Sequence, residues 1–190
     1  SGVLEVMVVE GQIESINLED NDQASINLKT AFPGLVGQPF NLRDIEQGLD
    51  QINRLASNNA VIDLRPGQDT GASEVVIRNQ PSKRWRINST LDNYGSTSTG
   101  RNQGGVNLSV DNPLGLNDSL TLVFRRTLSD DFSRRGSESR SVFYSLPYGY
   151  NSFNASYSRS RYATPLSLPG GELISDGTQE NLTLGIDRVL

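Results

Sequence analysis

From Trp85 onward the chain alternates apolar and polar positions with a period of two. Trp85, Ile87 and Leu91 alternate with Arg86, Asn88, Thr90 and Asp92; Val106, Leu108 and Val110 with Asn107, Ser109 and Asp111. The same rhythm recurs at Leu120, Leu122 and Phe124, at Val142, Tyr144 and Leu146, at Phe153, Ala155 and Tyr157, and at Leu182, Leu184 and Ile186. Side chains on a strand point alternately to its two faces, so this predicts six strands, each with one apolar and one polar face.

The first part of the chain has a different rhythm. Val3 to Val9 is rich in β-branched residues, and beyond Gly11 the run Ile13-Glu14-Ser15-Ile16-Asn17-Leu18 continues it, which predicts a strand with a kink or bulge. Asp22 to Phe32 predicts a short helix closed by Pro33-Gly34. A second helix starts at the cap residue Asn41, with Asp44 near its positive end and Leu42, Ile45, Leu49, Ile52 and Leu55 at spacings of three and four. Val61-Ile62-Asp63-Leu64, a turn through Pro66-Gly67 and Asp69-Thr70-Gly71, and Glu74-Val75-Val76-Ile77-Arg78 complete a β-α-α-β-β unit. Two helices over one sheet face give a small but sufficient core.

Charge and aromatic content change at the same place as the rhythm. Residues 1–82 carry 5 basic and 12 acidic side chains, and residues 83–190 carry 12 and 10. Trp85, all six tyrosines and four of the six phenylalanines lie in the second part. The sequence therefore divides into a domain of residues 1–82 and a strand array of residues 83–190.

The polar face of the array, filled with Ser, Asn, Thr, Asp and Arg, suits a water-filled lumen or a solvated sheet surface, and alternation by itself favours neither. Link lengths favour a membrane barrel, whose turns are short on one side and whose loops are longer on the other. Residues 111–118 and 146–149 read as short turns, and residues 95–102, 129–139 and 163–179 as longer polar links. Tyr94, Tyr144, Tyr148, Tyr150 and Tyr162 fall near strand ends, where an interfacial aromatic girdle would lie. The expectation is an outer-membrane barrel wall cut off before closure.

Several chemistries are excluded by composition. Without cysteine or histidine the chain builds no thiolate zinc site, no histidine base and no Ser-His-Asp triad. A net charge of −5 with only two lysines argues against nucleic acid as a partner. Asp69-Thr70-Gly71-Ala72-Ser73 carries the aspartic-protease signature and Gly100-Arg101-Asn102 resembles a second one, but Pro66-Gly67-Gln68 replaces the apolar strand that would bury the carboxylate. The bland reading is a turn aspartate. Glu19-Asp20-Asn21-Asp22 lacks the glycine and distal glutamate of a calcium loop. No enzyme, cofactor or metal is expected.

The motifs Leu91-Asp92-Asn93-Tyr94-Gly95, Asp111-Asn112-Pro113-Leu114-Gly115-Leu116-Asn117-Asp118 and Tyr144-Ser145-Leu146-Pro147-Tyr148-Gly149, following the front unit in this order, resemble the outer-membrane transporters of two-partner secretion. These are the haemolysin-activator, filamentous-haemagglutinin and contact-dependent-inhibition exporters of the Omp85 superfamily. In the front unit, Phe32-Pro33-Gly34 with residues 42–49, and Leu64-Arg65-Pro66-Gly67 with Gly71-Ala72-Ser73, resemble the polypeptide-transport-associated (POTRA) domain.

The resemblance implies an α+β POTRA domain of β-α-α-β-β order followed by antiparallel strands of a transmembrane β-barrel, here roughly its first six. It implies residence in the bacterial outer membrane with residues 1–82 in the periplasm, and passage of an unfolded exoprotein without nucleotide hydrolysis. The expected partners are outer-membrane lipid and the amino-terminal secretion domain of a secreted exoprotein. Val61, Ile62, Asp63 and Leu64 would be the client-binding edge, and Arg86, Asn88, Thr90 and Asp92 would line the pore. A soluble all-β adhesin or binding module is the alternative, and it would lack further amphipathic strands after Leu190.

Overall fold

A computed structural model describes residues 10–19, 26–129 and 131–189. The front domain holds β1 (Gln12–Leu18), α1 (Leu28–Ala31), α2 (Leu42–Asn53), β2 (Ala60–Pro66) and β3 (Ala72–Asn79). The expected β-α-α-β-β order is present. The Val3–Val9 part of the expected first strand and residues 22–25 of the expected first helix lie outside the described residues.

The sheet order is β1-β3-β2, with β1 parallel and β2 antiparallel to β3. On the central strand Val75, Val76 and Ile77 form an unbroken buried run, with Val75 and Ile77 on the face that joins the core. The register shifts between Ile13 and Ser15, so the bulge falls at Glu14 and not at Gly11. Asn41 caps α2, its side chain accepting from the Arg43 amide, and Ile45 and Ile52 pack with Ile13, Phe32, Val75 and Ile77. Leu42, expected on the buried face, is 52% exposed because it opens the first turn, beyond the edge of the core.

Six strands follow: β4 (Trp85–Asp92), β5 (Gln103–Asp111), β6 (Ser119–Thr127), β7 (Gly136–Tyr148), β8 (Asn151–Leu168) and β9 (Gly171–Arg188). They form one antiparallel sheet in chain order, each paired with its sequence neighbours. All six expected strands are therefore present.

Two expected links need correction. Residues 163–179 are not a loop: β8 and β9 keep pairing from Ala163↔Asp176 to Leu168↔Gly171, and Pro169-Gly170 alone makes the turn, with Gly170 at φ 126°. Pro165 lies beyond the point where β7 ends its pairing, at Gly136↔Ala163, so its missing amide costs no bond on that side. Likewise residues 136–139 belong to β7, which shortens the expected 129–139 link. The expected 146–149 turn narrows to Gly149 and Tyr150, since β7 runs to Tyr148 and pairs there with Asn151.

Candidate functional site

Two surfaces carry the expected chemistry, and a joint between the domains positions one against the other. The first surface is the outer edge of the front sheet. β2 pairs with β3 and with no other strand among the described residues, so Val61-Ile62-Asp63-Leu64 is an edge segment. Ile62 packs against the core, whereas Val61 is 54% and Leu64 46% exposed. An edge strand offers unpaired backbone groups, and exposed apolar side chains beside it are what an added strand would cover.

Asp63 sits in a charged cluster on the solvent face. Its carboxylate accepts from Arg78 Nη2 at 2.8 Å and Arg65 Nε at 3.2 Å, while Glu19 accepts from Arg78 Nε at 2.8 Å and pairs with Arg65 as well. Desolvation pushes the Asp63 carboxyl up, but the hydrogen bonds and charges of Arg78 and Arg65 outweigh it and hold the group below its usual range. Hydrogen bonding to Glu19 in turn raises the Arg65 guanidinium.

The second surface is the polar face of the six-stranded sheet. Arg86, Asn88, Thr90 and Asp92 share it, opposite Ser109, Asn107, Gly105 and Gln103 of β5. Asn88 and Thr90 are open to solvent. The charged pair is tied down: Arg86 grips Asp111 with both Nη atoms at 2.8 and 2.9 Å, and Asp92 accepts from Arg125 Nη2 at 2.6 Å.

The joint is made by the two short turns, which dock onto the front domain. In the β5–β6 turn Asn117 is fully buried and bonds across the boundary three times. Its Oδ1 accepts from the Asn27 amide at 2.9 Å, and its Nδ2 donates to the Asn27 carbonyl at 2.7 Å and to Thr30 Oγ1 at 2.9 Å. Asn27 Nδ2 returns a bond to the Gly115 carbonyl at 2.9 Å. Asn117 holds φ at 59° and Asn112 at 54°, backbone that asparagine tolerates better than most side chains.

Asp111 closes one side of the joint, accepting from the Ser57 amide at 2.8 Å on the carboxylate that Arg86 also grips. The β7–β8 turn docks beside it. Gly149 donates its amide to the Thr30 carbonyl at 2.8 Å and accepts from Gln51 Nε2 at 3.1 Å. Gly149 is at φ 55°, and a Cβ there would lie 2.8 Å from Pro33 Cγ. Tyr150 donates its hydroxyl to Asp44, and that bond raises the phenol above its ordinary value.

Comparison with known proteins matches residues 71–190 to the family described as haemolysin secretion/activation protein ShlB/FhaC/HecB, and residues 12–66 to the POTRA domain. The chain belongs to this haemolysin secretion/activation family. Among similar family proteins, the outer membrane transporter CdiB-2 of Burkholderia pseudomallei is 36% identical over all of this chain and 32% of its own length. The haemolysin transporter ShlB of Serratia marcescens is 38% identical over 99% of this chain and 33% of its own. The chain thus spans about a third of the length of the curated relatives it matches.

The solved structure of CdiB from Escherichia coli superposes with a TM-score of 0.84 at 36% identity, covering 95% of this chain and 34% of that one. BamA from Haemophilus ducreyi, at 16% identity and a TM-score of 0.56, shares the fold alone. The front domain of this family member is therefore a POTRA domain, and its β4–β9 sheet is part of an Omp85-type barrel wall.

The joint escaped sequence reading. Residues 111–118 were legible as a turn, but nothing in a turn motif says what the turn touches. The available signal was the density of asparagine and aspartate around Gly115, more hydrogen-bonding capacity than a solvated turn requires. The protease-like pieces are not brought together: Asp69 turns the β2–β3 hairpin of the POTRA domain, and Gly100 belongs to the β4–β5 loop of the wall. Of the calcium-like run, Glu19 pairs with Arg65 and Arg78, and residues 20–22 lie outside the described residues.

Proposed function

We propose that this chain is the POTRA-and-wall portion of an outer-membrane transporter of two-partner secretion, which passes an unfolded exoprotein across the bacterial outer membrane. Residues 1–82 stand in the periplasm. The amino-terminal secretion domain of the exoprotein adds a strand to β2 along Val61, Ile62, Asp63 and Leu64, gaining backbone hydrogen bonds from the edge and apolar cover from Val61 and Leu64. The extended chain then moves along the polar face, where Asn88 and Thr90 keep it solvated and the Arg86–Asp111 and Asp92–Arg125 pairs fix the charges at either end.

The observation that supports this reading best is the joint. Hydrogen bonds from two wall turns to Asn27, Thr30, Gln51 and Ser57 fix the edge strand relative to the polar face. A receiving edge held rigidly beside a conduit needs no separate hand-over step. Outer-membrane lipid covers the apolar face of the wall.

The test is export by the full-length transporter carrying Val61→Asp and Leu64→Asp. A heat-modifiable barrel at normal abundance with export of the exoprotein reduced about tenfold is expected, because two charges now stand where apolar cover is gained. Undiminished export from that barrel would contradict the edge assignment. A protein that yields no heat-modifiable band in its unmutated form would contradict the membrane barrel itself.

A further inference from the structure

The outward face of the wall changes character at one height. Leu122, Phe124, Val142 and Tyr157 belong to the apolar face, and directly beyond them the same face carries Arg126, Glu138, Arg140, Arg159, Arg161 and Glu180. Register makes these six one lattice across β6 to β9: Arg126 is paired with Glu138, Glu138 with Arg161, Arg140 with Arg159, and Arg159 with Glu180.

Glu138 organises the lattice. Its carboxylate is only 6% exposed and takes Arg140 Nη2 at 2.7 Å, Arg161 Nη2 at 3.3 Å and Arg126 Nε at 4.0 Å. Arg126 stacks on the Phe132 ring at 4.6 Å and Arg140 lies over Phe124 at 5.7 Å, so the guanidiniums are held in place. One carboxylate balances three arginines, and Glu180 balances Arg159 at 3.3 Å. Four positive against two negative charges leave an excess of two.

Arg140 directly opposite Arg159 is a like-charge pair, which costs stability unless an anion sits between. Glu138, Arg140, Arg159 and Arg161 line a depression at that point. Each arginine side chain there is about half exposed or more.

The lattice lies away from the POTRA joint, near the far ends of β6 and β7 and midway along β8 and β9, whose hairpin continues beyond it. From Tyr150 to Arg159 is about 30 Å along a strand, or about 23 Å of height at a tilt of about 40°, close to the roughly 25 Å of a barrel's apolar band. It therefore marks the outer rim of the lipid-facing surface, which rests on the membrane-barrel reading above.

We propose that Arg140, Arg159 and Arg161, the first and last of them held by Glu138, bind the phosphate groups of an anionic lipid headgroup in the outer leaflet. Planar guanidiniums match phosphate oxygens two at a time, and every cation of the lattice is an arginine. A lipid fits better than a free anion because the apolar face beginning at Phe124 and Tyr157 lies alongside to receive acyl chains.

The test uses the full-length transporter in detergent, with native mass spectrometry reading retention of bisphosphorylated lipid A. The unmutated protein is expected to retain it and R140Q/R161Q to retain at least tenfold less, with R140K/R161K between the two because the charges remain while the bidentate fork is lost. Equal retention by R140Q/R161Q in a heat-modifiable barrel overturns the lipid site alone. Equal retention of lipid A stripped of its phosphates, or displacement by an equimolar amount of inorganic phosphate, also overturns it. Absence of a heat-modifiable barrel in the unmutated protein overturns the barrel reading first, and this site with it.

Discussion

Single residues in this molecule often do what their type does not advertise. Gly48 lies inside α2, where alanine would ordinarily favour the helix by about 1 kcal/mol. Here a Cβ would stand 2.1 Å from Phe32 Cε1, and Phe32 is itself buried in the core. Gly48→Ala should therefore destabilise the POTRA domain by about 1–2 kcal/mol net, the overpacking cost exceeding the propensity gain. Denaturant unfolding followed by circular dichroism measures this, and a stabilised variant would show that the ring relaxes freely.

The Asp63 cluster sets an acid limit at the same scale. The folded carboxyl is held below its ordinary value of 3.8, so its contribution is fully present above that value and is lost as pH falls through the lower folded one. Amide exchange in β2 and β3, corrected for intrinsic rate, should accelerate below about pH 4. Asp63→Asn should remove that extra acid sensitivity. Exchange that depends on pH identically in both proteins would mean that the arginines bring no net stabilisation, as is common for surface pairs.

Among the elements, those with a repeating pattern were legible and those defined by what they touch were not. α2 follows from Asn41 and the spacing of Ile45, Leu49 and Ile52, and the six wall strands follow from period two alone. The lengths of β8 and β9 did not follow, because Pro165, Pro169 and Gly170 read as loop residues while pairing across the hairpin continues around them. The β5–β6 turn was legible as a turn and illegible as a clasp. Asn117→Ala should break three bonds to Asn27 and Thr30 at a cost of about 3 kcal/mol. That loss belongs to the joint, so faster amide exchange is expected in α1 and the 112–118 turn, with β7–β9 unchanged. Uniform acceleration across the wall would show that the turn stabilises the sheet and not the docking.

For the whole molecule, period, link length and motif order led to a POTRA domain and a barrel wall. The relation between the domains was not legible, since it rests on hydrogen bonds between residues about 90 positions apart, such as Asn27 and Asn117. Two carboxylates have opposite assignments: Asp111 closes the joint between the domains, whereas Asp63 lies on the edge strand that the joint holds in place.

The most direct test of the account is site-specific photocrosslinking in the full-length transporter during export. A photoreactive residue replaces Leu64 on the β2 edge or, as control, Val36, which is 56% exposed beside the opposite strand β1. The account predicts an adduct with the secretion domain of the exoprotein from position 64 and none from position 36. An adduct at position 36 with none at position 64 would contradict it.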